Sequence, residues 1–166
     1  MRKFVLAAAL ALVGTVALSA CSKQDDAQQN VAQVQKVTKP TDPTDAKAWN
    51  AYLGQIVQAN MKGMTAERPY PYLVPAGDTP EDQASYQRQL ENVSDVIARG
   101  VLPGNLLVFA GPSSTKTADF VTAAFKDAKP GSFKDVIVLF IGDQVDQQRV
   151  TDVLTPTGAT IRFVAM

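Results

Sequence analysis

The chain of 166 residues contains no histidine, and its one cysteine is Cys21. Without histidine, Ser-His-Asp and Cys-His catalysis are excluded, together with every histidine zinc site. A single cysteine allows no internal disulfide. Charge of one sign is also missing: 16 basic residues balance 16 acidic ones, and no basic block stands out. Nucleic-acid binding therefore has no electrostatic footprint. Mechanisms based on carboxylate, lysine or tyrosine remain open.

The amino-terminal segment is unlike the rest. Arg2 and Lys3 precede an unbroken apolar or small-residue run from Phe4 to Leu18, and Ser19 and Ala20 lead into Cys21. A basic start, a short apolar core and a small-residue exit make a secretory signal. The run is shorter than the roughly 20 residues a spanning helix needs, and the polar stretch 22–30 follows it directly.

Leu18-Ser19-Ala20-Cys21 resembles the lipobox of bacterial lipoproteins. The resemblance implies a diacylglyceryl group on the Cys21 thiol, cleavage before Cys21, and acylation of the new amino group. Stable anchoring needs more than one acyl chain, and this modification supplies it. Lipidation also accounts for a lone cysteine in an exported chain, which would otherwise be an odd free thiol. Ser22, where an aspartate would favour inner-membrane retention, implies sorting to the outer membrane, on its periplasmic side. If the source lacks such sorting, the inner or plasma membrane is expected. No other cofactor and no nucleotide are expected. Loss of Arg2 and Lys3 with the signal takes the basic residues from 16 to 14 against 16 acidic ones, a net charge of −2.

Three segments are expected: a signal peptide over 1–20, a lipidated flexible tether over 21–44, and one α/β domain over 45–166. The tether has no aromatic residue, and Val31, Val34 and Val37 are its only large aliphatics, too little apolar surface to offset the entropy of ordering.

Within the domain, Trp49, Leu53 and Ile56 recur at helical spacing, with Tyr52, Val57 and Met61 beside them. This predicts a helix over 45–61, capped by Thr44 and stopped at Gly63. Three prolines between Pro69 and Pro75 make that stretch extended or turning. A second helix starts at Thr79-Pro80-Glu81-Asp82, with a cap, a first-turn proline and two acids at the positive dipole end. Its stripe is Tyr86, Leu90, Val93 and Ile97, and Gly100 ends it. A regular rhythm follows: strand 105–110, helix 115–128, strand 135–142, helix 143–154, strand 159–164. The expected fold is therefore three-layered, with two helices followed by a small three-stranded, mainly parallel β-α-β-α-β sheet. In the strand at 135–142, residues 136–141 are apolar on both faces, so that strand belongs inside the sheet. The last strand alternates Thr160 and Arg162 with Ile161 and Phe163, and belongs at an edge.

Two groups of residues invite a functional reading. Ser113, Ser114, Thr115 and Lys116 open a helix after a strand, and Asp143 ends the next strand. Together they would line the carboxyl edge of a parallel sheet, where ligands bind at switch points. The stretch 110–117 has the position of a phosphate loop, but Ala110 and Thr115 occupy the two signature glycine positions and Pro112 removes an amide. The second group is Tyr70 and Tyr72, candidates for an interaction loop; the alternative is that both tyrosines lie across the domain. Asp143 and Arg149 also echo the aspartate and arginine of peptidoglycan-binding OmpA-like domains. Their spacing is shorter and the surrounding asparagine–serine motif is missing, so no role carries over.

The functional expectation is a membrane-anchored envelope protein acting as a non-enzymatic accessory, held by its lipid and contacting another envelope protein. A small-ligand module at the carboxyl edge is the first alternative, and an enzyme using carboxylate or lysine chemistry the second.

Overall fold

The computed structural model describes residues 38–76 and 79–166. The expected signal segment 1–20, Cys21 and the part of the expected tether up to residue 37 lie outside the described residues. Residues 37–166 form one compact unit.

The elements run α1 (Ala46–Ala59), β1 (Tyr70–Leu73), α2 (Pro80–Arg99), β2 (Leu106–Ala110), α3 (Ser114–Ala124), β3 (Ile137–Gly142), α4 (Gln144–Leu154) and β4 (Thr160–Ala165). Among the described residues the sheet has four strands, all parallel, in the order β1-β2-β3-β4. The α/β architecture is as expected. The strand count is corrected from three to four, and only α1 precedes the sheet, because the proline-rich stretch supplies β1 between the first two helices.

The reason a strand forms there lies in hydrogen-bond parity. Val74 N–H donates to Ala110 O at 2.7 Å. Residues of the same parity, Tyr70 and Tyr72, therefore turn their amides toward β2. Pro71 has the opposite parity and faces away from the sheet, where its missing N–H costs no ladder bond. An edge strand with the proline N–H position turned outward is one of the few places in a sheet that tolerate proline.

The chain steps across the sheet in one direction. Right-handed crossovers then require every connecting helix to lie on the same face, and α2, α3 and α4 do. Leu107, Phe109, Val138 and Phe140 point toward them and pack with Ile97, Phe120, Phe125, Val150 and Leu154. The alternate residues Leu106, Val108, Ala110, Ile137, Leu139 and Ile141 point to the other face, which α1 covers with Trp49, Leu53 and Val57. Aromatic rings tie the larger layer together. Phe109 lies 5.1 Å from Tyr72, 6.1 Å from Phe120 and 5.9 Å from Phe125, measured between ring centres.

Local signals match most boundaries. Thr79 caps α2 through Asp82 N–H, and Gly100 ends it at φ +88°. At α1 the cap is Asp45, whose side chain accepts from Ala48 N–H at 2.9 Å. Thr44 instead donates to Asp42. The indole N–H of Trp49 reaches the Asp42 carbonyl at 2.9 Å, fastening the chain before α1 to the buried Trp49.

Candidate functional site

At the carboxyl end of the sheet, β2 leads into α3 and β3 into α4. Ser113 caps α3 by accepting from Lys116 N–H at 3.3 Å. Ser114, only 4% exposed, is the hinge of the region. Its hydroxyl donates to Asp146 Oδ2 at 2.5 Å and accepts from Asp143 N–H at 2.7 Å. Asp146 is 5% exposed. Its other oxygen receives Arg149 Nε at 2.9 Å and Nη2 at 2.7 Å. Arg149 also donates to the Thr115 carbonyl at 2.8 Å and pairs with Asp119. One serine, two aspartates and one arginine thus clamp the start of α3 to the first turns of α4.

Burial alone would push the Asp146 carboxyl up. Hydrogen bonds from Ser114 and Arg149, the Arg149 charge and a further bond from Thr115 outweigh burial and hold it below the ordinary value. A carboxylate held ionised in this way is a weak base. It does not activate Ser114, whose hydroxyl is committed to two partners and closed off from solvent. The cluster joins two helices and has no free nucleophile.

The structure brings Ser113, Ser114, Thr115 and Asp143 together at the edge where the sequence suggests a ligand. It also fills the space between them. A side chain on Gly142 would meet Ser114 Oγ at 2.7 Å and collide with the Phe140 ring. One on Gly111 would collide with the Val74 carbonyl. These glycines allow close packing of backbone. Asp143 begins α4 with an exposed side chain that makes no capping bond. Lys116 faces the other way, toward a shallow hollow between α2 and α3 lined by Pro80, Gln83, Tyr86 and Asp119. The strand order never reverses, so the sheet has no switch point at which a crevice would open.

Among the concavities elsewhere in the described residues, two border β1. A groove of about 450 Å³ runs between α1 and β1, lined by Leu53, Val57, Met61, Pro71 and Val108, with Asn50 and Gln58 at its polar rim. At the amino end of β1 and β2, a hollow of about 200 Å³ is bordered by Tyr70, Tyr72, Val96, Val101 and Leu102. Here the two tyrosines separate. Tyr72 stacks on Phe109 and is half-buried, which raises its phenol. Tyr70 is 44% exposed, and Leu102 beside the same hollow is 77% exposed. Sequence reasoning singled out Tyr70 and missed Leu102, because a leucine after a helix reads as core.

No family model matches the chain, and no curated protein or solved structure matches it.

Proposed function

We propose that this protein is a bacterial envelope lipoprotein, held by acyl groups on Cys21 at the periplasmic face of the outer membrane, that acts as a non-enzymatic accessory through contact with another envelope protein. The observation that carries the contact role is the pair of exposed apolar residues Tyr70 and Leu102, which border one hollow beside the half-buried Val101. Large exposed apolar residues gathered at one place mark interaction surfaces, and aromatic residues are favoured at contact centres. The test is co-isolation from membranes. Wild-type protein brings down one partner at near-equal amount, and Leu102→Asp loses it while melting at the wild-type temperature. A partner retained by Leu102→Asp overturns the role of this patch.

A second reading, binding of a small ligand, is favoured by the groove between α1 and β1. Its lining carries no charged residue, so it suits a neutral, elongated, apolar molecule better than an anion.

A further inference from the structure

The two edges of the sheet are unlike. On β1, the outward-facing parity is shared by Pro69, Pro71, Leu73 and Pro75, so three of these four positions have no N–H to offer. The Leu73 carbonyl is occupied by Gln89 Nε2 at 3.2 Å. Such an edge refuses a further strand. β4 has none of these guards. Thr160 N–H donates to Val136 O and Met166 N–H to Gly142 O, so the even-numbered residues face β3. Ile161, Phe163 and Ala165 turn both N–H and C=O outward, with no proline among them. The one charge on β4 is Arg162, and its guanidinium lies against α1, donating to the Asn60 and Lys62 carbonyls.

We propose that β4 is a dimerisation strand. Two copies pair antiparallel through β4 about a twofold axis at Phe163, making one continuous eight-stranded sheet. Three features select a second copy as occupant. The first is self-complementarity. With Phe163 opposite its own copy, Ile161 faces Ala165 and Ala165 faces Ile161, so all three outward residues exchange bonds. Shifting the register by two in either direction leaves one of the three without a partner inside β4. The second is charge. The centred register sets Arg162 opposite Val164, whereas pairing Ile161 with Phe163 sets Arg162 opposite Arg162, and like charges directly opposed are destabilising. The third is the side-chain match. Phe163, already 5.9 Å from Phe140 between ring centres, gains an aromatic cross-strand partner, a favourable pair. A six-residue edge is small against a stable dimer interface, so the association is reversible and concentration-dependent.

The inference goes beyond the proposed accessory role and does not depend on it. Both hydrophobic clusters and all four strands lie within 37–166, so a chain of these residues folds on its own; it also contains no cysteine. Sedimentation of this chain shows a monomer–dimer equilibrium. Ala165→Pro removes one outward N–H and its twofold copy and leaves the β3–β4 ladder whole. It weakens the dimer by about tenfold or more, at an unchanged monomer melting temperature. Independently of that variant, Ile161→Cys/Ala165→Cys forms an oxidised dimer, because Cα atoms of opposed residues lie about 5.5 Å apart, within disulfide reach. Ala165→Cys alone does not, since its two copies stand roughly 13 Å apart. A monomer up to about 1 mM, an Ala165→Pro dimer of wild-type strength, or a crosslink in the single-cysteine chain overturns the proposal. So does a chain that is monomeric when purified and whose Ala165→Cys variant crosslinks in membranes to a different protein, which would make the occupant a foreign strand.

Discussion

Replacing Asp146 with asparagine keeps the shape of the α3–α4 clamp and removes its central charge. The Asp146 carboxylate accepts one hydrogen bond from the Ser114 hydroxyl and two from the Arg149 guanidinium, besides the contribution of Thr115. A carboxamide has one acceptor oxygen, so Ser114 or Arg149 loses its acceptor and meets an N–H instead. Breaking a fully buried ion pair costs about 3–5 kcal/mol. The Arg149 side chain is 36% exposed and keeps Asp119 and the Thr115 carbonyl, so water and these partners offset part of that. A lost hydrogen bond to a charged group alone costs about 1.5–3 kcal/mol. The expected destabilisation is about 2–3 kcal/mol, and at about 3–4 °C per kcal/mol for a domain of this size Tm falls by about 6–12 °C at pH 7. The pH dependence has a definite sign. The folded Asp146 carboxyl is held below its ordinary value, so its contribution is present above the unfolded value of about 4 and is lost as pH falls through the folded value. The gap between wild type and Asp146→Asn is therefore constant from about pH 7 to 5 and narrows below about 4. Thermal melts followed by circular dichroism at pH 7, 5 and 3 read this directly. A variant within about 1 °C of wild type at pH 7, or a gap that widens in acid, refutes the reasoning.

Other outcomes follow from the same geometry. Phe109→Ala empties a fully buried site shared by Tyr72, Phe120 and Phe125 and lowers unfolding free energy by about 3–5 kcal/mol in urea titration. Gly111→Ala forces a methyl against the Val74 carbonyl and costs about 1–3 kcal/mol by the same measurement; a neutral result would mean that β1 is not packed there. Cys21→Ser abolishes metabolic labelling with palmitate and leaves a soluble or uncleaved chain without acyl groups; continued labelling contradicts the lipobox reading.

What the sequence revealed depended on whether each signal was local. The strand β3 is apolar on both faces, so its interior place in the sheet was legible from six consecutive residues. The alternation in β4 likewise marked an edge. α2 carried its own cap, first-turn proline and stop. By contrast, β1 contains Pro71, which argues against a strand unless the neighbour and the direction of each amide are known. Those depend on pairing with β2, more than 30 residues away. Asp146 was missed for a related reason. An aspartate in a first helical turn normally faces water, and only the docking of α3 buries it. Its three-residue spacing to Arg149 was the available clue. Ser114 was noticed for its position after a strand, and that position is what lets it hold the start of α4. The exposed Tyr70 and the half-buried Tyr72 were indistinguishable in sequence, because side-chain alternation separates them only once a strand exists there.

The central claim, that the protein works through contact at the Tyr70–Leu102 patch and not at the carboxyl edge of the sheet, is tested most directly by photocrosslinking in living cells. A photoreactive residue at position 102 is compared with one at position 145, since Val145 is 85% exposed at the carboxyl edge and serves as an equally accessible control. The account predicts one defined protein adduct from position 102 and none from position 145. A defined adduct from position 145 with none from position 102 would contradict it and make the carboxyl edge the working surface.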